Sequence, residues 1–337
     1  MKKFIAAVMS FILVIATCAF AACTPEEENL GVVNGNYVET DAKGLSTALA
    51  NVNADLTDIA GGAGFDFATK FAVSFNMPET LSLSADGNFG YKINADMSGE
   101  TPVLTGAGSG SVSYSLRKDK TNVEESYSAN IYNDSQYLYL NTTAADNGKI
   151  DYLKLINDAM QGQLPGIGEG EGDSEIGGGM DLPATGMPDI SELISQMEKL
   201  GIKAYIDTDN GLKIKLSLDA VTFKSLLIVA AQSVKDFLPA EVATTITAML
   251  ALVEFSDFNI DFYLVFDADG KFVQYGEDIN INASVELPAA VGVSGPITLQ
   301  FSNSAYLKAY TGTVTLPDGL DAYPDITDKI GLPAVGV

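Results

Sequence analysis

Apolar residues recur along this chain with two different periods, and the changes from one to the other mark out its elements. Leu45, Leu49, Val52, Leu56 and Ile59 follow one another at spacings of four, three, four and three, which predicts an amphipathic helix stopped by Gly61, Gly62 and Gly64. From Phe65 to Asn141 the period is two. The segments FAVSFNM, LSLSA, NFGYKINADM, GSVSYSLRK, EESYSANIYN and QYLYLN alternate apolar with small polar residues, with breaks at Pro78, Asp86-Gly87, Ser98-Gly99 and Asn133-Asp134. Half-buried antiparallel strands give that alternation, so a meander of five or six strands is predicted. Tyr137 and Tyr139 share one face of the last strand and read as core or rim residues, because a sugar platform in this chain would have no Trp to build on.

Lys149 to Gln161 reads as a strand end entering a short helix with Leu155, Ile156 and Met160 inward. Residues 162–188, rich in Gly, Pro and acids, lose all periodicity and read as a solvated insertion. Its GIGEGEG piece is a poor phosphate loop, since its glutamates repel phosphate. The spacing leaves open whether its acids take calcium. Asp189 with Glu192 then begins a helix through Ile190, Leu193, Ile194, Met197 and Leu200, closed by Gly201. KAYIDT and LKIKLSL follow as a hairpin about Asp209-Asn210-Gly211.

The centre of the pattern is Asp219 to Phe266. Asp219 caps a helix from Ala220 to Leu238, Pro239 interrupts it, and a second helix from Ala240 to Val253 runs into the strand FSDFNIDFYLVF. Phe223, Leu227, Ala230, Val234 and Phe237 form one stripe, but Ile228 and Val229 stand on the opposite side. A helix apolar on both sides is expected to be covered on both. KFVQYGEDININASVEL pairs with FSDFNIDFYLVF as a hairpin turned at Asp267 to Gly270, and the segments ITLQFS and YLKAYTGTVTL complete the sheet. Asp267, Asp269 and Asp278 approximate a calcium loop, yet Gly270 falls early and Lys271 takes a ligand position, so a hairpin turn is the expectation. The fold class expected is therefore α+β: a curved antiparallel sheet, an open half-barrel, with helices packed on its concave face.

Composition narrows the chemistry. Among 337 residues, 44 are acidic and 19 basic, for a net charge of −25, which disfavours nucleic acid and anionic lipid headgroups as partners. There is no His and no Trp, and the two cysteines are Cys18 and Cys23. Ser-His-Asp and Cys-His machinery is thereby excluded, as are zinc sites built on His or Cys, and no cofactor is expected. Ser115-Leu116-Arg117-Lys118 matches Ser-x-x-Lys, but the companion Ser-Asp-Asn and Lys-Thr-Gly motifs are missing. No acid pair stands apart from turn and surface acids, so the chain is read as no enzyme.

The first 22 residues have a basic start at Lys2 and Lys3, an apolar core and small residues at the end, the layout of a secretory signal. AFAACTPEEEN resembles the lipobox of bacterial lipoproteins, with Phe20 departing from the usual Leu, Val or Ile. The resemblance implies lipidation at Cys23 and an anchor on the outer face of the bacterial cell membrane, followed by a spacer over residues 23–44. An uncleaved membrane anchor and plain secretion are the alternatives, and Ile15, Ala16 and Thr17 before Cys18 form a poorer second box.

The order of lipidated Cys, first helix, long meander, helical insert and last meander, with phrases such as YLYLN and FDADGKF, resembles the extracytoplasmic lipoprotein carriers of the LolA and LppX type. The resemblance implies one half-barrel domain over residues 45–337 whose helices plug the concave side and whose gap holds acyl chains; the insertion at 162–188 departs from it. Phe223, Leu227, Ile228, Val234, Phe237, Met249 and Leu252 are the expected lining of that gap. Burying hydrocarbon is worth about 0.8 kcal/mol per methylene, enough to hold a partial chain. The alternative is a solid interior in a structural or interaction lipoprotein with an envelope protein as partner.

Overall fold

The computed structural model of the chain describes residues 30–50, 52, 64–96, 103–118, 121–143, 147–151, 154, 197–233, 248–287 and 295–327. Twelve strands form one open antiparallel sheet with few helices. Six of them make a first meander: β2 (Gly64–Met77), β3 (Leu81–Asp96), β4 (Val103–Lys118), β5 (Thr121–Asn133), β6 (Tyr137–Thr142) and β7 (Gly148–Asp151). Five make a second: β8 (Lys203–Asp207), β9 (Leu212–Leu218), β10 (Glu254–Phe266), β11 (Phe272–Val285) and β12 (Ile297–Tyr310). The meanders meet where β12 pairs with β2, and the short β1 (Val38–Thr40) caps the far edge beside β8.

Period-two alternation survives the whole width of the sheet. Residues paired directly across an antiparallel ladder share a face, so the registers assign every side chain to one of two sides. Ile214, Leu264, Tyr275, Leu307, Phe67 and Tyr91 lie on one of them, in register from β9 to β3. Lys213, Val265, Gln274, Lys308, Asp66 and Lys92 follow each other across the opposite one. The sheet thus has an apolar face and a polar face.

Two helices touch the apolar face. Helix α1 (Ala42–Leu49) begins at Asp41, whose side chain accepts from the Gly44 N–H, and packs Leu45 against Leu212, Ile214 and Phe266. It starts three residues before the predicted Leu45 because Asp41 caps it. Helix α2 (Ala220–Ser233) starts at Asp219, as expected, with the Thr222 N–H donating to the Asp219 carboxylate at 2.9 Å. Phe223 reaches Phe255 and Phe258 of β10, ring centroids 6.0 and 5.2 Å away. A bulge between Phe255 and Asp257 puts both rings on the apolar face despite their spacing of three.

Three expectations change. Asp86-Gly87 does not end a strand: β3 runs through it, with Gly87 paired to Phe71 and Val112. A Cβ there would sit 2.7 Å from the Phe71 ring, so this Gly makes room for a neighbour rather than a turn. ITLQFS and the first part of YLKAYTGTVTL form one strand, β12, ending at Tyr310. Lastly, α2 is not covered on both sides: Val229 is 58% exposed and Val221 77%, while Phe223, Leu227 and Ile228 are half-buried. Among the described residues the ring contacts of the helix are with β10, and a low-amphipathicity sequence does not by itself supply a second wall.

The predicted tight turns hold. Asn210 and Gly211 both have positive φ between β8 and β9, and Asp267 closes the β10–β11 hairpin by accepting from the Asp269 and Lys271 N–H groups. Asp278 lies in β11, opposite Asp261, so the three acids form no calcium loop. Ten strand spacings separate β7 from β8, roughly 48 Å along the sheet at ~4.8 Å per strand. A long connection over 152–202 is therefore demanded by topology; the insertion at 162–188 lies outside the described residues.

Part of the expected spacer is built into the sheet. Leu30 is 4% exposed, and Gly31 lies on the backbone of Glu277 and Ala305 and donates its N–H to Ser304 Oγ at 2.9 Å. Five residues on, the Asn36 N–H donates to Asp207, and the Tyr37 ring stands 6.1 Å from that of Tyr263. Residues 30–37 form a strap across the polar face from β12 to β8. The chain then turns around the edge as β1 and returns on the apolar face as α1. At the other edge the C-terminal segment bridges β7 in parallel, Lys149 to Asp325, so both edges are occupied.

Candidate functional site

Two clusters, together with the separately buried Ile260, Phe71 and Ala305, make up the packed part of the apolar face. One cluster joins Phe75, Met77, Val285 and Ile297, with Val253 of the helix-to-strand junction packed on it. The other is the contact of α1 with Leu212, Ile214 and Phe266. Between them Phe65, Phe67, Val73, Phe89 and Val112 remain half-buried. A broad apolar strip with accessible rings is what a hydrocarbon chain requires.

Polar side chains cross the middle of this strip. Thr69 on β2 donates to Asn303 Oδ1 on β12 at 2.9 Å, and the Asn303 amide donates to Glu277 Oε1 on β11. Tyr275 donates its hydroxyl to the other carboxylate oxygen, Glu277 Oε2, at 2.8 Å. Thr69 and Asn303 are buried, 5% and 9% exposed. Burial, and then the charge of Glu277, push the Tyr275 hydroxyl well above its ordinary pKa. All four occupy positions in phase with Phe67, Phe71, Ile279, Ile281 and Phe301, which is the signal by which the sequence could have disclosed them. Phe262 is the cross-strand partner of Glu277 on one side and Ala305 on the other. No Lys or Arg pairs with Glu277 among the described residues.

The seven residues expected to line a gap are only partly assembled. Phe223 meets β10 as described, Leu227, Ile228 and Met249 are half-buried, and Leu252 is 49% exposed. Val234, Phe237 and Cys23 lie outside the described residues. A cavity of about 560 Å³ lies elsewhere, between β1, α1 and β8, lined by Thr40, Asp41, Leu45, Met197, Gly201 and Ala204 among others. None of the five that are described borders it.

The polar face carries a second network under the strap. Asp261 and Asp278 stand opposite each other; Lys215 reaches Asp261 at 2.6 Å, and Ser217 donates to it at 2.6 Å. Asn259 donates to Asp278 at 2.8 Å. Burial and the neighbouring Asp261 raise the Asp278 pKa, while burial, Asp207 and Asp261 push the Tyr37 hydroxyl up to about 12. Lys215 also lies over the Tyr205 and Tyr263 rings. Each group has a partner, which fits a scaffold that holds the strap in place. Tyr139, one of the paired tyrosines, is 2% exposed, edge-on to Tyr323 and bonded to Asp134 at 2.7 Å, so it is core.

Among the described residues no group of three acids could hold a metal ion, and no helix is long and apolar enough to cross a membrane. No protein-family model matches this chain and no curated protein matches it in sequence, so the geometry alone carries the functional argument.

Proposed function

We propose that this chain is a membrane-anchored extracytoplasmic lipoprotein that binds an apolar, lipid-like ligand on the apolar face of its sheet, without catalysis. The observation that carries this reading is the apolar face in register from β9 to β3, with α1 packed on Leu212, Ile214 and Phe266, Phe223 of α2 on β10, and half-buried rings such as Phe67 and Phe89 between them. Open twisted sheets of more than about ten strands curl, so twelve strands favour a concave apolar side, the geometry of an open half-barrel. A ligand lying there would be covered by hydrocarbon on one side, so about half of the 0.8 kcal/mol per fully buried methylene applies: a ten-carbon chain reaches the millimolar range and one of about twenty carbons the micromolar range.

The resemblance of AFAACTPEEEN to a lipobox at Cys23 supports the location, and the strap refines it. With Leu30 fixed on the sheet, only residues 24–29 separate the anchor from the domain, at most about 25 Å of chain. The domain would ride close to its membrane. Purification from native membranes, followed by organic extraction and mass spectrometry, tests the reading: a stoichiometric lipid is expected. A clean extract, with no uptake of an added fluorescent fatty-chain probe, would refute it. Cys23→Ser should move the protein from the membrane fraction to the soluble one, and continued membrane retention would count against the anchor.

A further inference from the structure

Near its middle the apolar face is interrupted by the carboxylate of Glu277, with which no Lys or Arg pairs among the described residues. Glu277 accepts from Tyr275 and Asn303, and Asn303 accepts from Thr69, so the carboxylate is held in one orientation from two adjacent strands. Two neutral donors hold an anion in place but do not neutralise it. Phe262 stands beside it in cross-strand register, and Tyr275 and Ile279 flank it two residues away on the same strand. Anion, aromatic rings and apolar surroundings together are the chemistry that selects an ammonium group over a carboxylate or phosphate. Glu125 likewise accepts from two neutral donors, Tyr114 and Tyr127, but it is exposed at the β5 side of the same face, where water already solvates it. Glu277 is half-buried near the middle of the sheet, where a ligand's polar end could reach it only from the apolar strip.

We propose that Glu277 is the headgroup site of the apolar face and that the ligand is an amphiphile carrying a cationic ammonium group on a hydrocarbon chain. This rests on the apolar face being the ligand surface. Chain and headgroup are then read separately: rings such as Phe67, Phe89 and Val112 beside them take the chain without regard to its end, and Glu277 discriminates the end. The strong negative charge of the whole protein would draw cations to its surface in general, so the assignment must be tested at the residue.

The experiment uses the full chain and three probes of equal length, dodecylammonium, dodecanol and dodecanoate, below their aggregation concentrations, each displacing a solvatochromic apolar dye at neutral pH. Wild type is expected to bind the ammonium about tenfold tighter than the alcohol, and the alcohol tighter than the carboxylate. Glu277→Gln should bring ammonium and alcohol within about twofold of each other while leaving the alcohol's own affinity in place. Tyr275→Phe, which keeps the charge and removes one donor, should retain the preference. Equal binding of all three probes by wild type overturns the headgroup assignment and leaves the apolar face standing. An ammonium preference that survives in Glu277→Gln overturns it too, assigning the preference to the general surface charge. Failure of every probe overturns the apolar-face reading itself, and the headgroup site with it.

Discussion

The strap over the polar face can be lifted by a single methyl group. A Cβ on Gly31 would sit within bonding range of the Glu277 and Ala305 carbonyl oxygens, and one on Gly276 would run into the Gly31 carbonyl. These are backbone atoms of paired strands, so the sheet does not yield and the strap must rise. Gly31→Ala would then lose the hydrogen bond to Ser304, about 1 kcal/mol, and the burial of Leu30, about 1.5 to 3 kcal/mol. Restricting the unfolded chain returns somewhat under 1 kcal/mol. A net loss of about 2 to 3 kcal/mol is expected in urea unfolding. Gly276→Ala presses on the same contact from below and should cost a similar amount. Because either change detaches the same residues, the double variant should be scarcely less stable than each single one, a coupling energy of about 2 kcal/mol. Limited proteolysis gives a second reading: cleavage should appear around residues 30–35, while 36–40 stay protected by the Asp207 and Tyr263 contacts and by β1. Strictly additive losses, or a Gly31→Ala protein as stable and as protease-resistant as wild type, would refute the strap as described.

Other consequences can be checked on the same preparations. Phe223→Ala removes the ring that joins α2 to Phe255 and Phe258; since it is half-buried, a loss of about 2 kcal/mol is expected in urea, and an unchanged midpoint would mean that α2 is held otherwise. Lys215→Met leaves Asp261, 4% exposed, without its cation and should cost about 3 kcal/mol, much of it restored by adding Asp261→Asn, as thermal melts of the three variants would show. Asp278 supplies a pH test. Its folded pKa is raised, so between the ordinary carboxylate value and the raised one the folded protein keeps a proton that the unfolded chain has given up, and stability from this group falls as pH rises through that window. Asp278→Asn, which can still accept from Asn259, should melt higher than wild type at neutral pH, and the gain should shrink on acidification towards the ordinary carboxylate range; a lower Tm at neutral pH would reverse the assignment.

What the sequence disclosed and what it hid follow from the range of the interactions. Alternation is local and strong, so the strands could be read from FAVSFNM or LKIKLSL alone, and Asp209-Asn210-Gly211 declared its turn because the needed positive φ is a property of two residues. Asp86-Gly87 misleads because the same glycine permissiveness serves a turn or a neighbour's ring, and only Phe71, sixteen residues from Gly87, decides which. The strap was illegible for a stronger reason. VVNGNY has no period, and the groups that hold it, Asp207 and Ser304, lie 171 and 273 residues from their partners. The all-round apolar character of α2 predicts cover on both sides, yet Val221 and Val229 are exposed, since propensity and packing do not oblige every apolar side chain to be buried.

The residues on which function is now placed belong to a third kind, visible in the sequence but lost within its periodicity. In YGEDININ the apolar phase passes through Tyr275, Glu277, Ile279 and Ile281, and in FSNSAYL it passes through Phe301, Asn303, Ala305 and Leu307. Glu277 and Asn303 break the phase at adjoining positions of adjacent strands, and Thr69 continues the break on the next strand. Burying such groups brings desolvation that Val or Leu at the same sites would not incur, and hydrogen bonds among them recover only part of it. Stability alone would therefore favour replacing all three. A polar chain set across one face of a sheet that is apolar on either side of it makes sense when something must be recognised there, and a hydrocarbon ligand with a charged end presents that problem: its tail asks for the strip, and its end asks for the break in it.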